Sequence, residues 1–115
     1  MTCEMDSLSA RVNYALRPLG ITRSMKPHRV LCGCVGRIAA QEDRLEAVQK
    51  ELYEPLAEQY DCEWTAIQSM VRRAAKTAWA VNPERVQQLA GYPLNSTPSA
   101  VQFLEMLYNA VVRGE

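Results

Sequence analysis

Residues 53–79 read YEPLAEQYDCEWTAIQSMVRRAAKTAW, and their spacing predicts two helices separated by a short turn. Leu56 and Tyr60 lie one turn apart on the first helix, Ala57 is small where two crossing helices must approach, and Ile67 and Met70 are spaced to close onto them. Asp61 holds the turn position where glycine is often favoured, and Asp is one of the few other residues that tolerate a left-handed backbone. Wound at about 100° per residue, the second helix places Ala66, Ile67, Met70, Val71, Ala74 and Ala78 on one side. Thr65, Gln68, Ser69, Arg72 and Lys76 fall on the other, with Arg73 flanking them. The exposed face is therefore polar in its first turns and basic further along. The recognition helix of a helix-turn-helix needs that order, because short hydrogen-bonding side chains can reach base edges while Arg and Lys meet phosphates. The same pattern also describes an ordinary solvated helix face.

Outward from this pair, apolar residues recur at helical spacing, and no segment alternates in the manner of a β-strand. The expected fold class is all-α, a compact six-helix domain over residues 1–115 with the helix-turn-helix at about 51–80. In the first helix, about 7–18, Leu8, Val12, Ala15, Leu16 and Leu19 share a face behind a cap at Asp6 or Ser7, and Pro18 and Gly20 end it. Pro27 suits the first turn of the second helix, about 27–40, whose inward stripe is Leu31, Cys34, Val35 and Ile38. Gly33 and Gly36 in that helix read as sites of close approach by a neighbour. No glycine occurs between Ala40 and Tyr60, so the start of the third helix, placed at about 47–60, is weakly signalled, and Pro55 marks a kink or an N-terminus. Asp61 is a candidate cap for the fourth helix, about 63–81. Asn82 and Pro83 begin a fifth, about 83–90, closed by Gly91. Thr97 and Pro98 repeat that start signal before a last stripe of Val101, Leu104, Leu107 or Tyr108, and Val111.

Composition removes several classes. With 48% apolar and 23% charged residues in 115, the chain is neither disordered nor a disulfide scaffold. No apolar run approaches a bilayer span, and the start, Met1 to Asp6, is acidic rather than a basic segment leading into an apolar one, so a cytoplasmic protein without a membrane partner is expected. Cys3, Cys32, Cys34 and Cys62 form no Cys-x-x-Cys pair and read as reduced thiols. His28 and Cys32 are four apart on one predicted face, but nothing nearby completes a zinc set, so no metal is expected. Trp64, Trp79, Tyr53 and Tyr60 could stack on bases, though aromatics at helix junctions more commonly pack. No nucleophile, base and oxyanion donors converge, and neither catalysis, a cofactor nor a small-molecule substrate is expected.

Thirteen Lys plus Arg balance thirteen Asp plus Glu, so any affinity for a polyanion must come from local charge. Residues 21–40 carry Arg23, Lys26, Arg29 and Arg37 without an acid, and residues 64–82 carry Arg72, Arg73 and Lys76 without one. Residues 41–63 hold eight acids (Glu42, Asp43, Glu46, Glu51, Glu54, Glu58, Asp61, Glu63) against Arg44 and Lys50, a balance of minus six that would repel DNA.

At Leu52-Tyr53-Glu54-Pro55-Leu56-Ala57, Val71-Arg72-Arg73-Ala74 and Ala78-Trp79 the chain resembles the C-terminal DNA-binding effector domain of the master response regulator of sporulation initiation in spore-forming Firmicutes. The similarity runs without a gap from about Arg17 to Trp79, includes Leu19-Gly20-Ile21, and resumes at Gly91-Tyr92, Pro98 and Phe103. The resemblance implies a six-helix domain whose third and fourth helices form the helix-turn-helix, binding short promoter elements in double-stranded DNA, often as tandem copies, and contacting RNA polymerase. It is read as a stand-alone, divergent copy. Arg72 matches a family arginine of the recognition helix, Arg73 replaces a basic or polar neighbour, and Thr65 replaces a serine. Ala66 stands where the family has a base-reading arginine, Gln68 and Ser69 replace glutamate and arginine, and Glu58 and Gln59 replace lysines. A lost bidentate Arg–guanine contact removes about 1–3 kcal/mol of discrimination, so the family's site preference does not transfer. The phosphorylatable receiver domain of the family does not lie in this chain, and control by phosphorylation is not implied by these residues.

Two readings fit. In one, the chain is a transcriptional regulator that binds DNA through Thr65, Gln68, Ser69, Arg72, Arg73 and Lys76. In the other, it keeps the family fold, has lost specific DNA contacts and acts as a protein-interaction domain. The first expects a basic surface joining Arg72, Arg73 and Lys76, extended by Arg23, Lys26 and Arg29, with the acids turned aside. The second expects the acids to share that surface, or an exposed apolar patch.

Overall fold

In the computed structural model, which describes residues 3–113 and the side chains of residues 8–112, helix α2 (Lys26–Ala40) packs against α1 (Cys3–Leu16), α3 (Glu54–Gln59), α4 (Trp64–Val81) and α6 (Ala100–Arg113). Helix α5 (Pro83–Ala90) closes against α4 and α6. The six α-helices are joined by 3₁₀ turns at Arg17–Leu19 and Glu42–Ala47 and a wide π turn at Gln49–Tyr53, and no strand occurs among the described residues. The fold is all-α, as the apolar periodicity predicts.

The core follows from that periodicity. Val12, Ala15, Leu16 and Leu19 are buried, as is the whole expected stripe of α2, Leu31, Cys34, Val35 and Ile38. Ile67, Val71, Ala74, Ala75 and Ala78 form the inner face of α4, and Phe103, Leu104, Leu107, Tyr108 and Val111 that of α6. Val101, expected in this last stripe, is instead 40% exposed, because Ala100, buried at 9%, takes the inward place one turn before Phe103 and Leu104. The helix starts at Ala100 rather than after Thr97 and Pro98. Ser99 Oγ accepts from the Gln102 N–H at 3.2 Å while Gln102 Oε1 accepts from the Ser99 N–H at 3.0 Å, a reciprocal capping box. Helix α1 also starts early, at Cys3, so Asp6 and Ser7 lie within it rather than ahead of it; their side chains, and the acidic character read at Met1 to Asp6, fall outside the described residues.

The weakly signalled stretch before α3 has a specific physical form. Helical backbone runs from Val48 to Gln59, so Pro55 is a kink inside it and not an N-terminus. Proline has no N–H to give the carbonyl four residues back, which is that of Glu51. The chain widens to a π turn there, with the Glu54 N–H reaching the Gln49 carbonyl. Arg37 of α2 then donates from Nε to the freed Glu51 carbonyl at 2.8 Å, and Arg44 donates to the Arg37 carbonyl at 3.1 Å. Arg44 also pairs with the Glu51 carboxylate at 3.4 Å, the one ion pair among the described residues. About one turn away α2 and α3 touch: a Cβ on Gly33 would stand 2.8 Å from Leu56 Cδ2, so that glycine is a point of close approach. Gly36 is not, since its nearest neighbour would lie at 3.9 Å.

The turn from α3 to α4 is a Schellman motif. The Cys62 N–H reaches the Ala57 carbonyl at 2.9 Å, the Asp61 N–H reaches that of Glu58 at 3.3 Å, and Asp61 takes the left-handed φ of 54°. Asp61 is thus the turn residue rather than the cap of α4, whose N-cap is Glu63 without a side-chain bond. Asn82 does cap α5, its side chain accepting from the Arg85 N–H at 3.1 Å, and Gly91 ends that helix at φ 84°.

Replacing Arg37 with Ala should lower the unfolding free energy by about 1–3 kcal/mol, the cost of leaving this part-buried acceptor without a donor. Urea unfolding measures it. A change within about 0.5 kcal/mol, as for an ordinary surface site, would mean that solvent satisfies the Glu51 carbonyl.

Candidate nucleic-acid interface

Because α4 buries one stripe of small and branched side chains, its opposite side is presented outward over its whole length. Thr65, Ser69, Arg72, Arg73 and Lys76 are exposed, and Gln68 is half-buried at the edge of the face. Ala66 and Met70 are half-buried on the inner border. None of the three cations pairs with a carboxylate among the described residues. Their fields are therefore not cancelled locally.

A groove of about 370 Å³ runs beside this face, lined by Gln68, Arg72 and Lys76 of α4, by Val48 and Tyr53, and by residues 97–101 at the start of α6. No acid lines it. Thr65, Ser69 and Arg73 lie outside it on the free face of α4. Arg23, Lys26 and Arg29 are exposed but do not line it, and Arg37 is committed to the Glu51 carbonyl, so the stretch of cations at 21–40 does not act as a unit. Glu54, Glu58, Asp61 and Glu63 are exposed on α3 and the turn.

Tyr53 and residues 97–101 were not legible as neighbours of α4. Tyr53 reads as a packing aromatic, and at 1% exposure it is one, yet its hydroxyl is buried without a hydrogen-bond partner. Such a group ordinarily costs about 1–3 kcal/mol. Burial, and then the nearby Cys34, push its pKa up to about 12, while the Arg72 guanidinium acts in the opposite sense. The hydroxyl thus stays a protonated donor within reach of the Arg72 field. The Ser99-x-x-Gln102 pattern, a capping-box signature, is the local signal that places the α6 start better than Thr97 and Pro98 do.

The other aromatics pack: Tyr60, Trp64 and Trp79 lie partly buried against the core. Cys34 is fully buried, which pushes its thiol up to about 12, and burial also raises Cys32, so neither is a thiolate nucleophile. His28 Nδ1 lies 3.7 Å from Cys32 Sγ, but among the described residues no three His, Cys, Asp or Glu side chains converge on a point that could hold a metal ion. No helix among the described residues is long and apolar enough to cross a membrane.

The all-α fold and the outward cationic face of α4 are compatible with a DNA-binding effector domain of a transcription regulator, and the family match gives that class. The family described as sporulation initiation factor Spo0A C terminal matches residues 12–111, and the chain belongs to it. That is a family of DNA-binding domains acting in transcription regulation at sporulation initiation, not a family of enzymes.

His28 supplies a test of the packing at the start of α2. Burial, and secondarily Arg23, lower its pKa below 6.5, so the fold favours the neutral ring. Its contribution is complete above the unfolded value and is lost as pH falls below 6.5. Melting temperature should therefore drop as pH is lowered from the neutral range to well below 6.5, and His28→Leu should flatten that drop. An unchanged slope in the variant would place the titrating group elsewhere.

Proposed function

We propose that this chain binds double-stranded DNA as a transcriptional regulator, with residues 51–80 of one domain acting as a helix-turn-helix and α4 lying in the major groove. The observation that carries the reading is the outward face of α4, where uncharged donors come first and unpaired cations follow while the inner face is consumed by the core. A major groove about 12 Å wide admits one helix. Thr65, Gln68 and Ser69 then meet base edges, and Arg72, Arg73 and Lys76 meet phosphates on the flanking strand. The groove beside them, free of carboxylates, supports the same orientation.

The acids of α3 and its turn give this domain a different balance from an all-basic binder. Exposed Glu54 and Glu58 oppose the phosphate field and lower affinity for any duplex alike, which leaves a larger share of binding to base contacts. Ala66 offers no donor at the position of a family arginine, so the preferred site differs from the family's.

Anisotropy titrations with a random duplex pool at two salt concentrations, followed by sequencing of the bound fraction, test the reading. Arg72→Ala and Lys76→Ala should each weaken binding to all sequences and reduce the salt slope by about 1. Gln68→Ala should instead reorder the preferred sequences; a uniform loss would remove its base-reading role. Absence of binding at low salt by folded protein would favour the protein-interaction reading.

A further inference from the structure

The C-terminal end of α4, beyond its outward cations, closes against the turn that follows α1. Asn82 Nδ2 donates to the Pro18 carbonyl at 3.4 Å while Asn82 Oδ1 accepts from the Arg85 N–H at 3.1 Å, so one side chain ties the Arg17–Leu19 turn to the first turn of α5. Beside this tie lies a shallow concavity of about 640 Å³ lined by Tyr14, Arg17, Pro18 and Arg85. Tyr14, Arg17 and Pro18 share one side of the chain because they are three and four positions apart in helical backbone. Neither arginine pairs with a carboxylate among the described residues; Arg85 bonds only the neutral Gln88, at 3.2 Å. Glu84 is exposed but does not line the concavity. Tyr14 is 77% exposed and takes no part in the core, and Val81, 56% exposed, stands against Gly20 at the end of the same turn. Exposed tyrosine and unpaired arginines around a concave apolar floor have the composition of the energetic centre of a protein interface. The charge is of one sign, and guanidinium forks match carboxylates. Val81 follows Arg72 by nine positions, half a revolution of α4 at about 100° per residue. A duplex lying on the face of residues 65–76 would therefore leave this surface uncovered, which favours a protein over a nucleic-acid strand as its occupant.

We propose that this concavity docks an acidic segment of a partner protein, with two carboxylates paired to Arg17 and Arg85 and an apolar side chain between them resting on Tyr14, Pro18 and Val81. The surface is separate from the outward face of α4 and does not depend on the DNA-binding reading. Partner and duplex can be held at once. Four lining residues give a contact well below the roughly 800 Å² per partner of a stable complex, so the docking is weak and reversible.

The test titrates the ¹⁵N-labelled full chain with a short capped peptide alternating glutamate and leucine, and with its glutamine–leucine counterpart. The acidic peptide should shift the resonances of Tyr14, Arg17, Val81 and Arg85 in a saturable manner, and the neutral one should not. Arg17→Gln and Arg85→Gln should each weaken the acidic peptide about fivefold with an unaltered thermal melt. Tyr14→Ser should weaken it too, whereas Tyr14→Phe should not, since the ring and not the hydroxyl is the platform. The double variant Arg17→Gln, Arg85→Gln should keep the duplex affinity of the wild type. Absence of saturable shifts, shifts centred on Arg72, Arg73 and Lys76, or an equal response to the neutral peptide would overturn the proposal. Loss of duplex affinity in the double variant would make the arginines phosphate contacts, and loss of self-association in sedimentation equilibrium would make a second copy the occupant; either result overturns it as well. A wild-type chain that binds no duplex overturns the DNA-binding reading alone, because the peptide titration is read without DNA.

Discussion

The hydrogen bond from Arg37 to the Glu51 carbonyl is the joint on which the arrangement of the helices turns. Pro55 cannot continue the helical ladder, so the segment entering α3 carries a carbonyl that must find a donor outside its own helix. Arg37 supplies it from α2, the helix that touches most of the others, and the close contact of Gly33 with Leu56 sets the spacing on the same side. With α3 held in this way, the left-handed Asp61 determines the direction in which the chain leaves, and α4 follows. The direction of the outward face of α4 is thus set by an arginine, a proline and a glycine that never reach it.

That dependence separates the roles of the cations. Arg37 is a structural donor, whereas Arg72, Arg73 and Lys76 are left without partners among the described residues. A net charge of zero conceals the division, because acids of residues 41–63 are concentrated on the segment before the turn and bases on the helix after it. Electrostatic behaviour follows the local distribution, since fields between exposed charges decay over about 8–10 Å at physiological salt.

The helices α1, α2, α4, α5 and the buried part of α6 were readable because an apolar face that repeats every three and four residues matches the period of a helix and not that of a strand. Gly91 and Asn82 were readable for stereochemical reasons. Residues 41–55 were not, because the π turn depends on a carbonyl being rescued by a side chain fourteen positions away, which no local pattern records. The exposed identity of Thr65, Ser69, Arg72, Arg73 and Lys76 followed from the wheel, while the contribution of Tyr53 and residues 97–101 did not. Their convergence is a product of how α6 crosses α4. Val101 misled because its neighbour Ala100, not Val101 itself, is the residue of the first turn of α6 that faces the core.

The inner face of α4 is built from Ile67, Val71, Ala74, Ala75 and Ala78, and none of the outward side chains takes part in that packing. Substitution at exposed positions away from packing ordinarily changes stability by no more than about 0.5 kcal/mol. Positions 65, 69, 72, 73 and 76 can therefore be exchanged while the scaffold stays folded, so in the proposed DNA-binding role the helix is an interchangeable element on a fixed mount. Divergence of target preference within such a fold is constrained by selection on the bound partner and hardly at all by selection on folding.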